Sequence, residues 1–297
     1  MPDIALWNKC NNKCVMCTNM DEFARQDGAQ YGLKCQIEKL ERYLKGLSPV
    51  YLKNADKADF VSLTGGEPTL HPEFFKAVAY FRRRLPGVPI TLLSNGRTFA
   101  SAPFTKKFAA VAAPPFSVAI ALHGPAAAVH DPVAGVRGSF AQTVKGLRNL
   151  FALRRGQQVE IRLVLHKKTI ARLHDTLRFL LETFPDTSAY RVVAIHYEIE
   201  GMSELNHKSV GLKFSVSSRK VDSALPLIRR FADFRLYHFP LCQVRPELRP
   251  LCRVTLPAED RIYPAACRGC RLRRGCLGLM LEYYKKFGDA ELKPVRA

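Results

Sequence analysis

Six short apolar runs recur along this chain, and most are followed by a polar loop and a segment of helical period. That alternation restricts the fold more than any other feature, because parallel strands need a crossover connection between them. The runs are Ile4–Trp7, Phe60–Leu63, Ile90–Leu93, Val118–Leu122, Val159–Leu165 and Val192–Ile195. Helical spacing falls at Ile37–Leu47, Pro72–Arg84, Thr105–Ala110, Phe140–Leu153 and Ile170–Phe184, with Pro72 at the helix start that proline tolerates. Six such units make an α/β fold, a partial (β/α)6 TIM-like barrel over residues 1–210, with functional residues expected at the C-terminal strand ends. Residues 211–297 lose the alternation and hold five of the nine cysteines, so they read as a small C-terminal cysteine-rich domain. A chain of 297 residues suffices for that division.

The loop after the first run contains Cys10, Cys14 and Cys17, in the order Cys-Asn-Asn-Lys-Cys-Val-Met-Cys. Three thiolates at that spacing can hold three irons of a [4Fe–4S] cubane and leave the fourth iron open to another ligand. A zinc site short of one ligand, or thiols that simply pack, would give the same spacing, and the next cysteine, Cys35, lies well downstream. The second run leads directly into Thr64-Gly65-Gly66-Glu67-Pro68. Two glycines at a strand end let a ligand approach the backbone, and the Glu67 carboxylate can accept hydrogen bonds from an ammonium group. An ordinary Gly-Gly turn is the alternative.

Taken together, the cysteine triad and the Gly-Gly-Glu-Pro segment resemble the radical S-adenosylmethionine (SAM) superfamily. Met16 stands where many members carry an aromatic residue, as an apolar substitute. The resemblance implies that Cys10, Cys14 and Cys17 hold a [4Fe–4S] cluster that binds SAM, and that Gly65, Gly66, Glu67 and Pro68 hold the amino group of SAM. It also implies that a reduced cluster cleaves SAM to a 5′-deoxyadenosyl radical, which abstracts hydrogen from a substrate. By position at strand ends, Ser94, Asn95 and His123 are expected to contact SAM, and Arg162 to pair with its carboxylate if it faces inward. His166, His196 and Glu198 also end strands. For all of these, capping, turn or packing roles are the alternative.

The tail holds Cys242, Cys252, Cys267, Cys270 and Cys276, of which the last three form a Cys-x-x-Cys-x5-Cys core. A cysteine-only site suits zinc as well as iron. The core is similar to that of twitch and SPASM extensions of radical SAM enzymes; a two-cluster SPASM domain needs a further cysteine where Met280 stands, so one auxiliary [4Fe–4S] cluster is expected. Longer phrases, among them Ser94-Asn-Gly-Arg-Thr-Phe99, His130-Asp131, Gly138–Leu150, Val159-Glu-Ile-Arg162 and Glu200–Asn206, look like HxsC-type maturases of His-Xaa-Ser peptide systems. That likeness spans about Trp7 to Gly278. It implies auxiliary ligands Cys242, Cys267, Cys270 and Cys276, with Cys252 as substitute and Cys35 a packed free thiol. It further implies a ribosomally synthesised peptide substrate, an external electron donor such as flavodoxin or ferredoxin, and a separate partner for substrate delivery, since no recognition domain precedes Cys10.

Net charge is +20, from 46 Lys and Arg against 26 Asp and Glu. The basic clusters, at Arg82–Arg84, Arg154-Arg155, Arg229-Arg230 and Arg271–Arg274, lack interleaved aromatics, so a solvated face or attraction for acidic substrates is preferred to nucleic-acid binding. Two other classes remain: a radical SAM enzyme that modifies tRNA, and a non-enzymatic Fe–S or zinc protein. No apolar run is long enough to span a bilayer, and Cys10 leaves no room for a leader, so no membrane partner and a cytoplasmic location are expected. There, a count of nine cysteines points to metal ligands in preference to disulfides.

Overall fold

The structure, a computed structural model, describes residues 3–47 and 61–296. Eight strands form one sheet in chain order: β1 (Asp3–Trp7), β2 (Val61–Gly65), β3 (Ile90–Ser94), β4 (Phe116–Ala121), β5 (Gln158–Leu165), β6 (Tyr190–His196), β7 (Phe234–Tyr237) and β8 (Cys252–Arg253). Pairings β1–β2, β2–β3, β3–β4, β6–β7 and β7–β8 are parallel. All six expected strands are present; Phe60, the expected start of the second, lies outside the described residues. Two short strands beyond residue 210 extend the sheet: β7 is only four residues with Arg235 inside it, and β8 is two residues. Neither offers an apolar run, yet β7 alternates buried and half-buried side chains, as a strand with one core face should.

The chain divides into two compact units. The first comprises Met1–Lys13, Asn19–Leu122 and Val136–Ile161. Its sheet buries Ile4, Leu6, Leu63, Leu92 and Val118. The helices Phe74–Arg84, Ala102–Val111 and Ser139–Leu153 add an aromatic cluster in which Phe108 lies 5.1 Å from Phe99 and 5.5 Å from Phe116, edge to face. Arg82 is buried but not wasted: its guanidinium donates to the carbonyls of Val88 and Pro115, each at 3.0 Å, and to Leu85. Gly146 brings its helix backbone against the loop after β3, where a Cβ would lie 2.2 Å from the Gly96 carbonyl oxygen. That contact fixes the loop that carries part of the site.

The second unit comprises Cys14–Thr18, His123–Gly135 and Arg162–Ala297. Its core is organised by β6, whose residues Val192–His196 are all buried, and by an aromatic group in which Phe214 lies 4.3 Å from Tyr283 and 4.1 Å from His196. His196 is therefore a packing residue: its Nδ1 meets Ser217 Oγ at 3.0 Å, and burial pulls its pKa down to about 3. Near the end of the chain a small antiparallel pair forms between β9 (Arg261–Ile262) and β10 (Leu279–Met280). Replacing Phe108 by Ala removes a fully buried ring from the first unit and should lower stability by about 3–5 kcal/mol in urea denaturation.

Candidate functional site

In the first unit the site begins as a backbone crossing. The Gly66 N–H donates to the Trp7 carbonyl at 2.7 Å and the Glu67 N–H to the Lys9 carbonyl at 2.8 Å, so the segment after β2 is zipped to the three residues that lead into Cys10. The approach leaves no room for side chains. A Cβ on Gly65 would lie 2.2 Å from the Trp7 oxygen, with φ at +124°, and one on Gly66 would lie 2.4 Å from the Lys9 oxygen. The glycines thus admit the cysteine loop, a requirement set by the chain itself and independent of any ligand.

Glu67 is 1% exposed. Its Oε1 accepts from Thr69 N at 3.1 Å, Thr69 Oγ1 at 2.6 Å and Ser94 Oγ at 2.8 Å, and its Oε2 accepts from Asn95 N at 2.7 Å. Burial pushes its carboxyl above the ordinary range, and these four donors oppose that shift. Pro68 starts the short helical turn that brings Thr69 back to the carboxylate. Ser94, expected as a ligand contact, spends its hydroxyl on Glu67 and on the Gly96 N–H at 3.0 Å. Asn95 reaches the cysteine loop: its Nδ2 donates to Asn11 Oδ1 at 2.6 Å and lies 3.9 Å from Cys10 Sγ. Arg97, two residues on, donates to Asn12 Oδ1 at 2.8 Å and to the Asn11 carbonyl, and its Nε is held by Gln142 Oε1 at 2.6 Å. The Asn12 N–H in turn points at Cys10 Sγ, 3.3 Å away.

In the second unit, Cys14 and Cys17 form a turn closed by a 3.2 Å bond from Cys17 N to the Cys14 carbonyl. Val15 N donates to the Val133 carbonyl at 3.0 Å, Ser203 N to the Cys17 carbonyl at 3.1 Å and Asn206 Nδ2 to the Val15 carbonyl at 2.9 Å. His123, at the end of β4, is buried with its N–H on His130 Nδ1 at 3.1 Å; burial, helped by His130 and His166, keeps its ring neutral, well below the ordinary histidine range. Burial also pulls His166 down to about 4. Arg162 is half-buried on β5. Glu198, 34% exposed, faces His238 Nε2 at 3.4 Å. His238 Nδ1 lies 3.2 Å from the His196 carbonyl, so Nδ1 carries the proton; burial pulls the ring below the ordinary histidine range, against the opposing influence of the Glu198 charge. His238 is the non-glycine residue with positive φ, +67°, among those described.

The tail thiols of Cys242, Cys267, Cys270 and Cys276 line one pocket, partly open to solvent, with Tyr263 and Arg273 on its wall. The backbone N–H groups of Leu241 and Gly278 point at Cys276 Sγ from 3.3 and 3.4 Å. Cys252 does not line this pocket; it opens β8, its thiol directed at the Leu248 carbonyl 3.8 Å away, and burial pushes it up to about 12. Cys35 is half-buried against the Ala29 carbonyl at 3.5 Å. Among the described residues, no three His, Cys, Asp or Glu side chains close on a point that would hold a single metal ion.

A family model described as the Radical SAM superfamily matches residues 4–180, more than half of the chain. The chain belongs to the radical SAM superfamily. Members of that family use a [4Fe–4S] cluster and SAM. The mycofactocin maturase MftC of Mycobacterium tuberculosis is 30% identical over 169 residues, which cover 56% of this chain and 38% of the maturase. The fold is shared with SuiB of Streptococcus suis. Its crystal structure bound to S-adenosylmethionine matches at a TM-score of 0.59 and 17% identity, covering 90% of this chain and 55% of SuiB. Its structure bound to the precursor peptide SuiA matches at 0.58 and 15%, covering 79% and 48%. The chain thus spans about half or less of the length of these relatives.

Within this radical SAM chain, several residues that shape the site have roles that the sequence alone does not assign, although Arg97, Ser203 and Asn206 fall within the phrases Ser94–Phe99 and Glu200–Asn206. Arg97, Ser203 and Asn206 act by holding backbone of the cysteine loop, and His238 ends a strand too short to be read from periodicity. Exchanging Glu67 for Gln places an amide N–H₂ against converging donors, and should cost about 2–3 kcal/mol in urea denaturation of the apoprotein. Unchanged stability with lost SAM binding would show instead that the carboxylate serves the ligand.

Proposed function

We propose that this chain is a radical SAM enzyme that modifies a ribosomally synthesised peptide. Cys10, Cys14 and Cys17 would hold the cluster that binds SAM, and Cys242, Cys267, Cys270 and Cys276 one auxiliary [4Fe–4S] cluster. Domains follow as residues 1–210 for the radical SAM core and 211–297 for the twitch-like extension. The observation that carries the reading is the zipper between Gly65–Glu67 and the residues leading into Cys10, which ties the Gly-Gly-Glu-Pro segment to the start of the cysteine motif. When bound, the reduced cluster and SAM supply a 5′-deoxyadenosyl radical that takes a hydrogen atom from the substrate.

The residues present fit these groups. The Asn12 N–H to Cys10 Sγ and the Leu241 and Gly278 N–H groups to Cys276 Sγ are hydrogen bonds of the kind that tune iron–sulfur sites. Four thiols lining one pocket would suit a cubane or zinc, and the likeness of the Cys-x-x-Cys-x5-Cys core to twitch extensions favours the cubane. The protein's own tasks are orientation and exclusion. Asn95 and Arg97 hold Asn11 and Asn12 in the loop; Gly65, Gly66 and Pro68 would hold the amino group of SAM. Ser94 keeps Glu67 in place, while His123 and Arg162 lie on the strands expected to meet the rest of SAM.

The peptide reading is supported by the likeness to a mycofactocin maturase and to a protein crystallised with a precursor peptide, and by the HxsC-type phrases. An external flavodoxin or ferredoxin supplies electrons. No helix of the described residues is long and apolar enough to cross a membrane, and all nine cysteines are free, which agrees with a reducing, cytoplasmic setting.

Anaerobic reconstitution tests the assignment. The wild-type protein should bind about eight irons and form 5′-deoxyadenosine from SAM and dithionite. Cys14→Ala should abolish that product and leave about four irons, whereas Cys270→Ala should leave about four irons and retain SAM cleavage. Equal loss of cleavage in both variants would overturn the division of roles.

A further inference from the structure

Between Asp260 and Glu282 the chain has no acidic residue, and the loop that links the tail cysteines reads Arg268-Gly-Cys-Arg271-Leu-Arg273-Arg274. All four arginines are exposed. Some arginines elsewhere in the molecule are neutralised by carboxylates: Arg84 by Glu41 at 2.6 Å, Arg191 by Asp233 at 2.6 Å and Arg245 by Glu247 at 2.6 Å. None of the ion pairs among the described residues involves Arg268, Arg271, Arg273 or Arg274. One of the four borders the four-cysteine pocket, and Arg268 and Arg271 directly follow the pocket residues Cys267 and Cys270 in sequence. Arg273 lines it and lies over the Tyr263 ring at 5.2 Å, and Tyr263 OH donates to the Cys276 carbonyl at 2.5 Å.

A concentration of like charge at one place costs self-repulsion, which an oppositely charged partner relieves on docking. We infer that the arginine loop 268–274 is the docking surface for a small acidic electron-carrier protein, whose redox centre is thereby brought to the cysteine pocket. This rests on the reading that Cys242, Cys267, Cys270 and Cys276 hold a cluster. An RNA would meet the same charge, but sequence-tolerant binding of single strands also uses exposed aromatic rings. The exposed large apolar side chains among the described residues are Met20, Leu44, Leu47, Leu205, Val216 and Val254, none of them aromatic. The surface offers charge without a stacking platform, which favours a protein.

The test uses the anaerobically reconstituted full chain and, as probe, an oxidised, strongly acidic plant-type [2Fe–2S] ferredoxin, with affinity measured by calorimetry. The wild type should bind and weaken about tenfold between roughly 50 and roughly 300 mM NaCl. The triple variant R268E/R271E/R274E, which spares Arg273 on the pocket wall, should weaken binding at low salt by about tenfold or more. The triple variant R219E/R229E/R230E makes the same change in net charge elsewhere and should bind like wild type. Equal weakening in both variants, salt-independent binding, no binding of the probe, or tighter binding of a single-stranded RNA to the same loop would overturn the inference. Iron content separates this from the underlying reading. An R268E/R271E/R274E protein with full iron and weakened ferredoxin binding supports the docking surface. A C267A/C270A protein with undiminished iron would sink the cluster assignment on its own, whatever the ferredoxin does.

Discussion

The Glu67 carboxylate lies where the ends of β2 and β3 meet, out of contact with water, and takes hydrogen bonds from Thr69, Ser94 and Asn95. A carboxylate buried without partners would cost several kcal/mol, so the position is tenable only while all the donors converge on it. Convergence dictates geometry in return. Thr69 must turn back immediately after Pro68, and Ser94 must end its strand with the hydroxyl inward. Asn95 must present its backbone N–H to Glu67, which leaves its side-chain amide free to reach Asn11. A local electrostatic requirement at one residue is in this way transmitted to the loop that begins at Cys10. Arg97 adds a second brace through Asn12, and its own position depends on Asn95 Oδ1, 3.0 Å from its backbone N–H.

The later part of the loop is held by other means. The carbonyls of Val15 and Cys17 and the N–H of Val15 are taken by Asn206, Ser203 and Val133. These are ordinary backbone and amide bonds, each worth on the order of 1 kcal/mol net. They come from Ala127–Ala134 and from the turn around Met202–Leu205, short elements that the apolar pattern alone does not announce. Their value lies in satisfying carbonyls that would otherwise crowd the thiols with unpaired partial negative charge.

The sheet and the two motifs were legible because each rests on a signal local in sequence. Apolar runs mark buried parallel strands, and the glycine pair and cysteine spacing survive any context. What escaped was set by contacts distant in sequence. Gly65 and Gly66 were read as room for a ligand, but their first obligation is to the backbone of Trp7 and Lys9, some sixty residues earlier. His196 ends a strand as a catalytic histidine would, yet it stacks on Phe214, a partner that nothing near it in sequence reveals. His238 ends a strand defined by its pairing with β6 rather than by composition. A strand of four residues with an arginine in it becomes recognisable only when its neighbour is known.

The tail shows how little apolar packing a site needs when its ligands are fixed through the main chain. Cys276 is gripped on three sides: two N–H groups point at its sulfur and Tyr263 binds its carbonyl. One of those donors belongs to Gly278, whose φ of +79° and whose approach to the Ile262 carbonyl, 2.5 Å from a would-be Cβ, exclude any other residue. The β9–β10 pairing begins at the next residue, Leu279, opposite Ile262, so the same few atoms that aim an N–H at the thiol also start the small sheet. A group bound by the four thiols would close the loops between them and so stabilise a region with few long strands of its own. Ligand geometry and local fold are consequently one requirement at Gly278, and a side chain there would disturb both at once.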